Sequence, residues 1–346
     1  MAGLVNRVKN ILKILHGFSI LLLLVSPGCA FIDTGSSPIS TPATAYTPAR
    51  GSSLLARFAP VFLVENDHIP HNRIGTPVAW KDQEDTVHIS IDPDQPAFYT
   101  QQVPFQTGNR TYTNLIYRIH FQGTPFGLSP FYLTSGKNVG LLVIVTINAQ
   151  EQPVLITTVH TCGCYLAFTP TSFLPQEAFP AGWKKESQKI YGESLPGILT
   201  LTTDQLHDGR TPRTVVAIRA DTHRVMGIIQ EEEMKLTGSY QAVITPLLPM
   251  QALQAITIEG KASEGTTTSF FETEGARKGY VKESFKPRER LFMSWWTIDW
   301  YIGEDKAYGP ADITGTTFYT SVKFWARDQS DMGNFPRFLR YWGWNL

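Results

Sequence analysis

The sequence predicts a mainly β fold, a β-sandwich or an open barrel, with a few short helices placed mostly near the C-terminus. Three observations carry that expectation. Strand-length segments rich in Val, Ile, Thr, Tyr and Phe recur along the chain, bounded by Gly, Pro, Asn or Asp. Helical periodicity is scarce before residue 289. The 346 residues include 20 Phe, 13 Tyr and 8 Trp, ample material for a core.

In chain order, the clearest strand candidates are Ala59–Val64, Val87–Ile91, Asn114–Phe121, Val139–Ile147, Val154–Phe168, Ile198–Thr202, Thr214–Arg219 and Ala255–Glu259. Residues 139–168 read as a hairpin: an apolar run, a polar turn at Ala149-Gln150-Glu151-Gln152, and a second apolar run. Gly227–Leu236 and Pro246–Ala255 carry weak helical patterns, and Glu289–Ile302 and Phe335–Trp342 stronger ones. A polar, Gly/Ser/Thr/Glu-rich stretch at 261–286 suggests a boundary near residue 260, dividing a β-rich body (57–260) from a Trp-rich C-terminal subdomain (261–346) packed on it.

Thirty basic and thirty acidic side chains give zero net charge, which argues against nucleic acid as a partner. Three cysteines are too few for a disulfide-dense scaffold. No Gly-x-Ser-x-Gly elbow, Walker loop, His-Glu-x-x-His or Cys-x-x-Cys-His occurs.

The front end has the layout of an export signal. Arg7, Lys9 and Lys13 precede the apolar run Phe18–Val25, and Ser26-Pro27-Gly28 lead to Cys29. That run falls well short of the ~20 apolar residues a spanning helix needs. Small residues before a cysteine at the end of such a run resemble a bacterial lipoprotein signal. The resemblance implies removal of residues 1–28 and acylation of Cys29, anchoring the mature chain to a membrane. Ala30, rather than Asp, at the next position implies sorting to the outer membrane. Residues 29–56, rich in Ser, Thr, Pro, Ala and Gly, read as a flexible tether.

His160-Thr161-Cys162-Gly163-Cys164 is the most chemically loaded stretch. On a regular strand His160, Cys162 and Cys164 share a face, with His160 and Cys164 roughly 13 Å apart. Zinc–sulfur bonds of about 2.3 Å need those side chains much closer, so a bend at Gly163 is required for a metal site. Two thiolates would then suit copper or zinc, with His120 as a further ligand. Otherwise the thiols form a strained, oxidising disulfide, or pack as two small core side chains. His120 shares its strand face with Arg118, a pair that suits an anion or acid–base work. His68 and His71, near Glu65 and Asp67, form a weaker cluster.

Six of the eight tryptophans lie between Trp295 and Trp344. They read as core, as a belt at a membrane interface, or as a platform for sugars. Arg337, Arg340 and Trp342 beside Phe335, Leu339 and Tyr341 fit a helix lying on a bilayer.

Gly136–Cys164 and Arg213–His223 are distantly similar to paired segments of the necrosis-inducing-protein-like and vacuolar-sorting-protein-like β-sandwiches. That likeness implies a sandwich and marks His160 and His223. Lys137, Asn138 and Gly140 stand where that family's acidic metal-binding pair would be, so no catalytic residue carries over. The sequence thus leads to an exported, lipid-anchored envelope protein whose β-rich body binds a ligand or an envelope partner. The alternatives are a copper- or zinc-binding or thiol-redox protein centred on His160, Cys162 and Cys164, and a hydrolase whose site the sequence leaves open.

Overall fold

The computed structural model describes residues 42–201, 213–231, 233–260 and 265–346. The expected leader 1–28 and Cys29 lie outside the described residues. The strands are β1 (Ala43–Pro48), β2 (Val61–Glu65), β3 (Thr76–Lys81), β4 (Val87–Asp92), β5 (Phe98–Thr107) and β6 (Arg110–Thr124). There follow β7 (Gly136–Asn148), β8 (Pro153–His160), β9 (Ala167–Pro170), β10 (Ser187–Ile190), β11 (Glu193–Pro196) and β12 (Arg213–Ile218). The last are β13 (Val225–Glu231), β14 (Gln241–Thr245), β15 (Leu247–Pro249), β16 (Ile256–Glu259) and β17 (Thr267–Thr268). The helices are α1 (Leu54–Arg57), α2 (Glu233–Ser239), α3 (Pro287–Thr297), α4 (Ala311–Thr314) and α5 (Phe335–Tyr341).

The six-stranded sheet β15-β5-β6-β7-β8-β9 is the middle layer. One of its faces packs on the five-stranded sheet β13-β12-β2-β1-β14, through Leu115, Tyr117, Ile119, Phe121 and Val143 against Phe62, Val64, Val216 and Ile228. The opposite face, with Ile116, Leu142 and Ile144, meets the four-stranded sheet β17-β16-β3-β4 and the C-terminal Phe335, Phe338, Leu339 and Trp344. Because β7 and β8 are covered on both faces, their sequences are continuously apolar rather than alternating. The sheets stay open and do not close into a barrel. The mainly β class and the C-terminal bias of the helices are as the composition predicts.

The hairpin expected over 139–168 forms between β7 and β8, in the register Leu141↔His160 to Thr146↔Leu155. Its turn is held by Asn148, whose side-chain oxygen accepts from the backbone N–H of Gln150 at 3.0 Å and Gln152 at 2.9 Å. The second run does not continue to Phe168: β8 stops at His160 and β9 begins at Ala167, because Gly163 (φ 91°) and Tyr165 (φ 55°) turn the chain.

Several expectations are corrected. Residues 43–48 are not tether but β1, buried between β2 and β14, and 54–57 form α1, capped by Ser53, whose hydroxyl oxygen accepts from the Ala56 N–H; residues 29–41 lie outside the described residues. Gly227–Leu236 is not one helix. Ile228 packs inward and Ile229 faces solvent as β13 pairs with β12, and α2 starts only at Glu233. Pro246–Ala255 divides into β15 and a 3-10 turn at Met250–Gln254. Of 198–201, only Leu199 makes a strand contact, with Thr171; Thr202 lies outside the described residues. The helix at 335–341 is not laid out for a bilayer, since Phe335, Phe338 and Leu339 enter the core.

Candidate functional site

The stretch His160–Cys164 lies where β8 ends. The His160 N–H donates to the Cys164 carbonyl at 2.9 Å and the Gly163 N–H to the His160 carbonyl at 2.7 Å, closing a tight turn. Only glycine fits at 163: with φ at 91°, a Cβ there would stand 2.1 Å from the Tyr319 carbonyl oxygen. The turn brings together the two thiols that a flat strand would separate. The Cys164 N–H donates to Cys162 Sγ at 3.4 Å, which brings the two side chains close enough for each to influence the other's ionisation. Both cysteines are free; Cys162 is buried and Cys164 half-buried.

Three segments close over this turn. Thr161 is pinned on one side by its N–H to the Gly140 carbonyl at 2.9 Å, and on the other by the Lys306 N–H to its own carbonyl at 2.9 Å. Gly140 permits the first contact, since a Cβ there would lie 2.8 Å from Thr161 Oγ1. The first turn of α3 contributes Glu289, whose Oε1 accepts from the Cys164 thiol at 3.5 Å. Lys286, just before α3, makes a fully buried ion pair with Asp305 at 3.0 Å. Asp305 also accepts from the hydroxyls of Thr161 and of Ser284, the latter at 3.1 Å, and from the Gly140 N–H at 3.3 Å. Lys306 Nζ donates to the Cys162 carbonyl at 3.3 Å.

These neighbours set the protonation of the thiols. Burial alone would push the Cys162 thiol up, but the hydrogen bond from Cys164 and the Lys286 ammonium together bring it below its ordinary value. Cys164 is pushed well up by that same hydrogen bond and by burial. Physically, the pair gives up one proton readily and holds the second between the two sulfurs. Burial would favour a neutral Lys286; Asp305, the thiols and Glu289 outweigh it and hold the ammonium charged. Burial raises Glu289, with Lys286 and the Cys164 thiol opposing. Asp305 stays below its usual value despite burial because of Lys286 and Thr161.

The histidines fall elsewhere. His160 turns to the far face of the sheet, where its Nε2–H donates to the His223 carbonyl at 2.9 Å. His223, stacked on Phe121 at 4.0 Å between centroids, donates in turn to the His71 carbonyl at 3.0 Å, and His71 meets Asp221 at 2.8 Å. Burial brings His160 down to about 4. His120 sits on the opposite face, boxed by Tyr99 and Phe270, with Nε2 accepting from Arg118 Nε at 2.8 Å. Arg118 reaches the Lys306 carbonyl at 2.8 Å, so His120 connects to the thiol site only through two other residues. Among the described residues no three His, Cys, Asp or Glu side chains gather as a metal set. His68 and His71 are not brought together with Glu65 and Asp67 either: Glu65 faces Arg219.

The structure therefore joins Cys162 and Cys164, as a bend at Gly163 allows, and places His160, His120 and His223 elsewhere in the interior, where burial lowers each below the ordinary histidine value. Lys286, Glu289, Asp305 and Ser284 carry no motif in the sequence. Glu289 in a first helical turn is unremarkable by itself, and the run Glu304-Asp305-Lys306 reads as a charged loop until its burial is seen. The chain matches no known protein family, no curated protein and no solved structure.

Proposed function

We propose that this is an exported, lipid-anchored envelope protein whose β body holds a dithiol for exchange with thiols of an envelope partner. One observation carries the reading: two free thiols brought to one side of the Gly163 turn, Cys162 buried with its Sγ accepting from the Cys164 N–H at 3.4 Å, and Cys164 half-buried with its thiol on Glu289 at 3.5 Å. A disulfide spanning a single residue is strained, and strain raises its oxidising power. A buried thiolate held by Lys286 is a good leaving group, since a thiol of lower pKa departs faster. The arrangement suits a thiol oxidant.

In that reaction the partner's thiolate attacks Cys164 Sγ, on the less buried of the two residues. The Cys162–Cys164 bond breaks, its electron pair leaves on Cys162 opposite Lys286, and a mixed disulfide forms at Cys164. A second partner thiolate attacks the partner sulfur of that mixed disulfide, releasing the partner as a disulfide. Glu289, its carboxyl raised by burial, returns a proton to Cys164. Two electrons pass from the partner thiols to the pair: Cys162 stays a thiolate opposite Lys286, and Cys164 takes the Glu289 proton. Of the two protons given up by the partner thiols, one restores Glu289 and the other goes to solvent.

Equilibrating the full chain with glutathione redox mixtures tests this. The pair should interconvert reversibly with a midpoint on the oxidising side, above about −200 mV. The Cys162→Ser variant, having lost its leaving group, should accumulate a mixed disulfide with glutathione on Cys164. Thiols that stay reduced and unalkylated in excess oxidised glutathione would sink the reading. Stoichiometric copper or zinc, lost in the Cys162→Ser/Cys164→Ser variant, would replace it with the metal-binding alternative. The anchor is tested separately: globomycin, which blocks lipoprotein signal cleavage, should cause the precursor to accumulate, and unchanged processing would remove the role of Cys29.

A further inference from the structure

α3 is an inverted amphipathic helix. Its buried positions are polar, namely Arg288, Glu289, Ser294 and Thr297. Its exposed positions are apolar: Leu291 at 66%, Phe292 at 48%, Trp295 at 79% and Trp296 at 66% of full exposure. The chain leaving the helix adds Ile298 and Trp300, both more than 60% exposed. A helix on a water-facing surface shows the opposite pattern.

The surface extends on both sides. Arg288 lies beneath the loop before β7, its guanidinium 4.0 Å from the Phe126 ring centre and 4.2 Å from that of Phe131. Phe131 meets Phe292 at 6.2 Å, and Leu128 protrudes from the same loop. On the other side Arg327 donates to the carbonyls of Thr297 and Ile298, tying in the exposed run Val322, Lys323, Phe324 and Trp325. Trp295, Trp296 and Trp300 alone expose roughly 400 Å², at ~200 Å² per indole, comparable to the largest apolar patch of an ordinary monomer.

We infer that this face docks on the interfacial layer of a lipid bilayer, with α3 lying in the membrane plane. Indoles prefer that layer, where the ring is apolar and the N–H stays wet. Exposed apolar positions along α3 and its exit offer almost no hydrogen-bonding groups, whereas a protein interface uses about one hydrogen bond per 100–200 Å². The charges also fit an anionic headgroup region. Glu289 is turned inward to Cys164 and Asp299 to Tyr319 and Arg327, while Arg290, over the Trp300 ring at 5.1 Å, and the exposed Lys323 stay at the face. No helix among the described residues is long and apolar enough to span a bilayer, so α3 lies on it rather than across it. An acylated Cys29 would keep the body close, since the chain from Cys29 to Pro42 reaches at most ~45 Å. The docking does not depend on the dithiol chemistry, and only this last argument uses the anchor.

The test is fluorescence of the full chain in phosphatidylethanolamine–phosphatidylglycerol vesicles containing brominated lipid, which quenches indoles only where they touch acyl chains. The sequence before residue 42 holds no Trp, so the readout is blind to the anchor itself. Marked quenching is expected, falling by about half in Trp295→Ser/Trp296→Ser and by about threefold in Leu291→Asp, whose site is exposed and tolerates the change. Emission equal to that in unbrominated vesicles, or quenching untouched by Leu291→Asp, would overturn the inference. Indoles shielded from both bromine and aqueous acrylamide would also overturn it, because a protein surface would then cover the face.

Discussion

Asp305 is where the buried charges of the dithiol site converge, pairing with Lys286 and accepting from Thr161, Ser284 and Gly140. Asp305→Ala should cost about 3–5 kcal/mol in denaturant unfolding, because it strands the Lys286 ammonium without its counter-ion. Unfolding in that variant should expose the thiols and speed their alkylation, whereas Lys286→Met should raise the apparent pKa of the first thiol in a pH-resolved alkylation series. The neutral histidines make a separate prediction. Burial holds His160 at about 4, and His120 and His223 well below their ordinary value. The unfolded chain therefore binds more protons than the folded one below pH ~6.5, so stability is full above that pH and falls as the pH drops toward 4. His160 alone contributes on the order of 3 kcal/mol to that loss, measurable as a melting temperature that declines steeply between those limits. At this scale the sequence disclosed the two thiols and their bend, since they are neighbours in the chain. It hid Lys286, Glu289 and Asp305, because ionic partners of Cys162 more than a hundred residues away leave no local spacing to read.

Secondary elements show where local pattern is and is not enough. β7 and β8 announce themselves because burial on both faces makes them continuously apolar. β5 stays hidden behind Pro104, which is tolerated because β15 pairs only with Phe98–Thr100 and, among the described residues, leaves the rest of that edge without a strand neighbour. β13 carries a helical pattern, and its pairing with β12 overrides it. The turn after β8 gives the sharpest test. Gly163→Ala should destabilise by about 2 kcal/mol or more, from the unfavourable φ together with the clash at Tyr319, and should part the thiols, seen as lost disulfide formation under oxidised glutathione. In contrast, Trp295→Ser on the exposed face of α3 should shift unfolding by no more than about 0.5 kcal/mol, since it leaves no cavity.

Across the whole molecule, three stacked sheets enclose two apolar layers that share the middle sheet. The N-terminal strand belongs to that framework: β1 runs between β2 and β14, antiparallel to one and parallel to the other. Deleting residues 1–41 should leave a cooperative thermal transition, and deleting residues 1–50 should abolish it. The same pairing joins Thr44 to Gln241 and Pro48 to Thr245, contacts between distant parts of the chain that form slowly. A chain secreted N-terminus first delivers β1 early and β14 late. In the exported, lipid-anchored protein proposed above, the outer sheet can close only when most of the polypeptide has crossed, and a lipid on its N-terminus would hold the unfinished protein at the membrane meanwhile, out of reach of its neighbours' sticky edges.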